Sequence, residues 1–249
     1  MNRSTVLSAL GGLCMFLLLW ELAAMLLNQP VLPGPITVVP LFLQGMCGDL
    51  GHHFLASAGR VLAAIFLATI AATPLGLALG QMPRLDRLVN PLIAIIYPIP
   101  KIIFLPVIYV LMGISDFSKI FLIAIIIFFQ ILVVVRAEAR ALRPELILSV
   151  RSLGAGRRAL FRYVYLPASL PAVLTALRVS VGTAVAVLFI AEQSLTQWGL
   201  GYYIVIETWQ VLMYDEMYTG IMGMALLGVL LYFALYAVEL RLRPEGCQD

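Results

Sequence analysis

Charge is scarce in this 249-residue chain: Asp, Glu, Lys and Arg together make up 12%, against roughly 25% in an ordinary soluble domain. That scarcity excludes a disordered protein, which stays solvated through polar and charged residues. It also excludes a nucleic-acid binder, whose affinity comes from a basic face set against phosphates. Histidine is nearly missing, with two residues, and cysteine is limited to three. Cys14 lies in an apolar run, Cys47 in a connecting segment and Cys247 in the tail, with neither metal-site nor disulfide spacing. His52 and His53 are adjacent without a third ligand nearby, so they read as a solvated loop pair rather than a metal or proton-relay site. The chain also has no Gly-x-x-x-x-Gly-Lys-Ser/Thr phosphate loop and no evident nucleophile–base pair. It is not expected to bind ATP or to act as an enzyme.

What fills the chain is apolar surface, at 62% of residues. A soluble domain of this size has no interior large enough to hide it. A bilayer core of ~30 Å takes about 20 mostly apolar residues per helix. Six windows meet that need: residues 6–27, 54–80, 88–112, 118–135, 166–191 and 217–240. The expectation is an all-α integral membrane protein of about six transmembrane helices, forming one domain over residues 1–249. The first window follows Arg3 but is long for a signal peptide and lacks a small-x-small cleavage site, so it reads as a retained span.

The few charges are ordered. Arg3, Arg84, Arg87, the seven arginines between Arg136 and Arg162, Arg241 and Arg243 fall in alternate loops. The opposite loops carry Asp49, Asp116, Glu192, Glu207, Asp215 and Glu216, with Lys119 nearly alone as a cation. Basic loops face the cytoplasm, which places both termini and the 136–165 loop inside, and loops 28–53 and 192–216 outside. Three segments depart from simple spans. Leu32-Pro33-Gly34-Pro35 is a turn before a short apolar helix expected at the outer surface. Tyr97-Pro98-Ile99-Pro100-Lys101 and Pro106 must kink or break the third span. Residues 195–215, rich in Trp and Tyr, read as an external loop or partly re-entrant helix.

The 136–165 loop is the most informative stretch. Pro144 suits a first helical position, which needs no amide donor. Leu146, Ile147, Val150 and Leu153 then share one face of a short helix. Gly154 follows where a left-handed residue ends it, and a second amphipathic piece covers residues 157–164. An apolar ridge among seven arginines suits docking into a groove on a cytosolic partner. A basic loop that fixes topology and touches lipid headgroups accounts for the same pattern equally well.

Spacing separates the two. Gly154, nine residues, Val164, one residue, then Leu166-Pro167 resembles the EAA loop of ATP-binding-cassette importer permeases. The resemblance extends to the nitrate, sulfonate, taurine, bicarbonate and vitamin-precursor subfamily, through VLPGPITVV near Val31, SAGRVLAAI near Ser57, YPIPKIIFLPVIYVLMGISDFSKI from Tyr97, PELILSVRSLGAGRRALFRYVYLPASLP from Pro144 and AEQSLTQWGLGYYI from Ala191. It implies a type I ABC importer permease fold in the bacterial inner membrane. It further implies cytosolic ABC ATPase subunits holding ATP and Mg, an external substrate-binding protein and a second permease copy, with a homodimer expected. The ATPase-coupling residues it implies are Glu145, Leu146, Ile147, Val150, Arg151, Leu153, Gly154 and Ala155. One departure stands out: Leu148, Ser149 and Val150 occupy the positions of the family's Glu-Ala-Ala. Glu145, one turn upstream on the same face, or Arg151 is expected to supply the missing polar contact.

Ionisable groups inside a span are functional suspects. Lys101 and Arg178 each lie about 20 Å into their windows at 1.5 Å per residue, and two such cations suit a small anion. The expected translocation path comprises Tyr97, Pro98, Pro100, Lys101, Arg178 and Glu192. The competing reading pairs Lys101 and Arg178 with carbonyls or carboxylates and makes Glu192 part of a structural salt bridge. Arg60 and Glu21 are expected to snorkel at span ends, Gln130 and Thr183 to join helices, and Gly76, Gly80 and Gly182 to allow close helix approach. A secondary transporter or channel working without an ATPase is the alternative function. It calls for coupling carboxylates deep in the spans, whereas these sit at ends and loops.

Overall fold

The computed structural model describes residues 3–193 and 196–242; Arg243 and Cys247 lie outside the described residues, as do Ser194 and Leu195 of the AEQSLTQWGLGYYI stretch. Every regular element among the described residues is helical. In chain order these are α1 (Arg3–Leu27), α2 (Pro35–Met46), α3 (Asp49–Gln81), α4 (Pro83–Ile96), a 3-10 turn (Lys101–Phe104), α5 (Leu105–Met112), α6 (Asp116–Ala141) and α7 (Pro144–Ser152). Then follow α8 (Arg157–Leu160), a π turn (Phe161–Tyr165), α9 (Leu166–Glu192), α10 (Leu200–Tyr202), short π and 3-10 turns through Val211, and α11 (Tyr214–Leu242).

Among the described residues, four helical stretches are long and apolar enough to cross a bilayer: α3, α6, Arg158–Glu192 and α11. The pair α4 and Lys101–Met112 passes the same test but bends by 81° at the Tyr97–Pro100 break. Pro98 and Pro100 remove two amide donors within three residues, and the helix breaks there, whereas single prolines such as Pro74 in α3 are accommodated. α1 contributes a shorter apolar stretch, Gly11–Leu27. The six expected spans therefore appear as four continuous ones, one broken one and this shorter helix.

Two boundaries differ from the sequence reading. α3 starts at Asp49, whose carboxylate suits a first turn, so His52 and His53 are helical rather than in a loop. α6 runs six residues past 135, because Ala137, Glu138 and Ala139 are good helix formers. The segment 136–165 is therefore mostly helix, with only short links on either side of α7. The π turn before α9 falls where Pro167 removes a backbone donor.

The chain divides into two compact units. The first comprises residues 1–57 and 192–226. In it, Trp20 donates to the Pro33 carbonyl at 3.0 Å and stacks on Tyr218 at 5.7 Å between ring centroids. The Glu21 carboxylate accepts the Ile36 N–H at the N-terminus of α2, where the helix dipole favours an anion.

The second comprises residues 58–191 and 227–249. Here α3 and α6 meet at Gly76 and Gly80, four residues apart and so on one face. A Cβ on Gly80 would lie 2.5 Å from that of Ala139, and one on Gly76 would lie 2.9 Å from that of Val135. Arg60 departs from the snorkelling expectation. It is buried eleven residues into α3 and pairs with Asp116 at 2.7 Å, because the longer helix carries it away from the end.

Candidate functional site

The helix α7 is built as its sequence asks. Pro144 opens it, Glu145 stands in its first turn and Arg151 in its last, each complementing the helix dipole. Gly154 is left-handed at φ +83°, with its N–H on the Arg151 carbonyl at 2.9 Å. The Ala155 N–H reaches the Val150 carbonyl at 3.4 Å, closing the turn. None of the α7 residues is buried. Leu146 and Leu148 are exposed, and Leu153 is 87% exposed. The structure thus groups Glu145, Leu146, Ile147, Val150, Arg151, Leu153, Gly154 and Ala155 on one helix–turn, where Ile147 and Val150 are half-buried while Leu146 and Leu153 stay exposed.

At the break in the third span, Tyr97, Pro98, Pro100 and Lys101 line a recess of about 350 Å³ together with Phe129 and Gln130. Lys101 closes the end of α4: its ammonium donates to the carbonyls of Ile96, Tyr97 and Ile99 at 3.0–3.2 Å. It also lies 4.6 Å from the Phe129 ring centroid, a cation–π contact. An ammonium has three donors, and all three have carbonyl partners here.

Arg178 does not join that recess. It pairs with Glu239 at 3.3 Å and faces the rings of Tyr232 and Tyr236. Glu239 is 1% exposed and sits three residues from the end of α11, beside Arg241. The sequence offered only that neighbouring arginine as a hint of its role.

Glu192 lies in the first unit and is fully buried. Its two oxygens accept the Ser57 hydroxyl at 2.7 and 2.9 Å, and one also accepts the Gly201 N–H at 3.0 Å. The Ser57 hydroxyl oxygen accepts the Leu200 N–H at 2.8 Å. One turn earlier on α3, His53 Nδ1 accepts the Gly199 N–H at 3.1 Å, and Nε2 faces Glu207 at 3.2 Å. His53, dismissed from sequence as half of a solvated pair, is 1% exposed. Its position four residues before Ser57, on one helix face, was the signal available. Three side chains thus clasp three consecutive residues, Gly199–Gly201.

A further cluster joins α4 to α6. Asp86 takes Arg136 in both oxygens, at 2.6 and 2.9 Å, and Arg136 also donates to Asn90 at 2.7 Å. Of these three residues the sequence singled out only Arg136, as one of the basic residues that set topology. The described residues contain no group of His, Cys, Asp and Glu fit to hold a metal ion.

Comparison with known proteins decides the family. Residues 64–244 match the family described as "Binding-protein-dependent transport system inner membrane component". The chain belongs to this family. It is a membrane-embedded permease subunit of an ATP-driven importer, not itself an enzyme, and the family's ATP hydrolysis resides in a separate subunit. The permease is 32% identical to the taurine transport system permease protein TauC of Escherichia coli (strain K12), over 98% of this chain and 91% of that one. It is 27% identical to the formylaminopyrimidine transport permease protein ThiX of Halalkalibacterium halodurans, over 92% of each. In fold it matches a chain of the inward-facing MetNI methionine ABC transporter with a TM-score of 0.66, at 20% identity, covering 80% of this permease and 98% of that chain. As members of this family do, the permease works with an ATPase and a substrate-binding protein.

Proposed function

We propose that the permease forms the translocation path for a small anionic solute of the sulfonate class. The observation that carries this reading is the near end-to-end similarity to a taurine permease. The recess at the 97–101 break supports it, placing the Lys101 charge, with its donors held by carbonyls, beside Tyr97, Pro98, Pro100 and Gln130 on a broken span. Arg178 and Glu192 act on the path indirectly, by fixing α9 at Glu239 and at Ser57. Residues 145–155 dock on the ATPase, with Glu145 standing in for the carboxylate missing at Leu148; ATP and Mg are held by that partner. The basic loops put both termini in the cytoplasm. The chain acts as one transmembrane domain, in a pair of identical copies.

The test of substrate is uptake into proteoliposomes holding the permease, its ATPase and its binding protein. Labelled taurine is expected to accumulate, with unlabelled aliphatic sulfonates competing. Uptake of a formylaminopyrimidine with no effect of sulfonates would replace the anion reading with a neutral one.

A further inference from the structure

The Asp86–Arg136 pair occupies a particular place in the fold. Four features define it, all within the second compact unit.

First, α4 is sparsely held. Of its fourteen residues only Asp86 and Ile93 are buried, while Leu88, Leu92 and Ile95 are 57–77% exposed. Second, Asp86 is itself only 9% exposed and grips Arg136 through both oxygens, a geometry that fixes orientation as well as distance. Asn90, one turn further along α4, adds a second contact to the same guanidinium at 2.7 Å. Arg140, 72% exposed, reaches the same carboxylate at 3.7 Å.

Third, α6 carries both arms of the broken span. Beyond the break, the 3-10 turn and α5 pack on α6, with Lys101 4.6 Å from the Phe129 ring centroid, and α5 leads through Gly113 and Ser115 into the α6 N-terminus. Before the break, Asp86 and Asn90 hold α4 to Arg136 on the same helix. The two arms of the 81° bend are thus anchored at two places on one helix.

Fourth, α6 ends at Ala141 and α7 begins at Pro144, so only Leu142 and Arg143 separate them. Arg136 lies less than two turns before that link. A movement of α7 would reach the Asp86–Arg136 pair through a short, mostly helical lever.

We infer that Asp86 is a positioning residue for transport: its pairing with Arg136 ties the bend of the broken span to the position of α7. This rests on reading α7 as the ATPase dock. A movement that the ATPase imposes on α7 is thereby converted into a change of angle at Tyr97–Pro100, where Lys101 and the recess lie. A purely structural ion pair would lower stability when broken but would leave this conversion intact in whatever protein assembles.

The test uses the assembled importer in lipid, with spin labels at positions 92 and 110, exposed sites on α4 and α5. Cys14, Cys47 and Cys247 are first replaced by Ser, and labelled permease is assembled with excess unlabelled copies. The distance distribution is read without nucleotide and after trapping with ATP and vanadate. In the parent protein the distribution is expected to shift. In Asp86→Asn the ATPase remains bound and active, yet the shift falls by at least half. A buried unpaired arginine is destabilising, so the neutral double variant Asp86→Asn/Arg136→Gln is measured as well, with the same loss expected. The exchanged pair Asp86→Arg/Arg136→Asp restores the shift.

A full shift in assembled Asp86→Asn or in the neutral double variant overturns the inference, as does a parent protein that shows none. A Leu153→Asp arm separates the underlying reading. If that variant keeps the ATPase bound and the shift intact, α7 is not the dock. If it releases the ATPase while Asp86→Asn keeps the shift, the dock stands and only the role given to Asp86 falls.

Discussion

The Ser57 hydroxyl sits 2.7 and 2.9 Å from the two oxygens of Glu192, joining residues 135 positions apart in a fully buried contact. The same Ser57 oxygen takes the Leu200 N–H, and Glu192 takes that of Gly201. Two of the sequence stretches that resemble the permease subfamily, SAGRVLAAI and AEQSLTQWGLGYYI, therefore meet at one point. The clasp accounts for Ser57, Glu192 and the Gly199–Gly201 turn within them, since a charge-assisted hydrogen bond is roughly twice as strong as a neutral one.

Removing either partner is expected to cost stability. Ser57→Ala leaves a buried carboxylate and the Leu200 N–H short of a partner, at about 1–3 kcal/mol for each unsatisfied group. Thermal unfolding in detergent should show the midpoint falling for Ser57→Ala and Glu192→Ala, and falling less for Glu192→Gln, which keeps one acceptor. Unchanged midpoints in both alanine variants would show that the clasp is not a stabilising feature.

Gly154 isolates backbone conformation from packing. A Cβ there meets nothing within 4 Å, yet its φ of +83° is one that L side chains rarely adopt. Left-handed geometry costs roughly 1–2 kcal/mol for an ordinary residue, and asparagine tolerates it better. Gly154→Val is expected to weaken co-purification of the ATPase at least several-fold, while Gly154→Asn retains most of it. Equal retention by both would detach this turn from docking.

The glycines of the spans make a contrasting pair. Gly80→Leu drives a side chain into Ala139 and the Arg136 carbonyl, and overpacking of this kind typically costs about 1–3 kcal/mol. Gly182 has nothing within 4 Å of a Cβ among the described residues, so Gly182→Leu should leave the unfolding midpoint of the monomeric chain unchanged. A second copy packed against Gly182 would make the same change reduce the dimeric fraction seen by cross-linking; an unaltered fraction places the partner copy elsewhere.

Lys101 is tested by separating its cap from its charge. Lys101→Met leaves the carbonyls of Ile96, Tyr97 and Ile99 without their shared donor, and uptake should fall at least tenfold with the ATPase still bound. Lys101→Arg keeps donors and charge and should retain a measurable fraction. Normal uptake by Lys101→Met would remove the residue from the transport path.

Periodicity and composition made the long helices legible, along with the proline break, the start of α7 and the left-handed Gly154. Those features are local: each depends on apolar spacing, a missing amide donor or a residue free to take positive φ. What the sequence did not reveal was pairing across the chain. Arg60 and His53 look like residues near a span end until α3 is seen to begin at Asp49. Glu239 looks like part of a charged tail until it faces Arg178. Asp86, flanked by Arg84 and Arg87, reads as a minor charge in a basic loop until Arg136 closes on it. Partner identity is set by three-dimensional register, which a single sequence does not encode in any local signal.

The most direct test of the account is ATP-driven transport by the purified importer. Proteoliposomes containing the permease, its ATPase and its binding protein should accumulate labelled solute only with ATP, and vanadate should abolish that accumulation. Liposomes containing the permease alone should accumulate none. Accumulation by the permease alone, driven by an ion gradient and indifferent to vanadate, would contradict it.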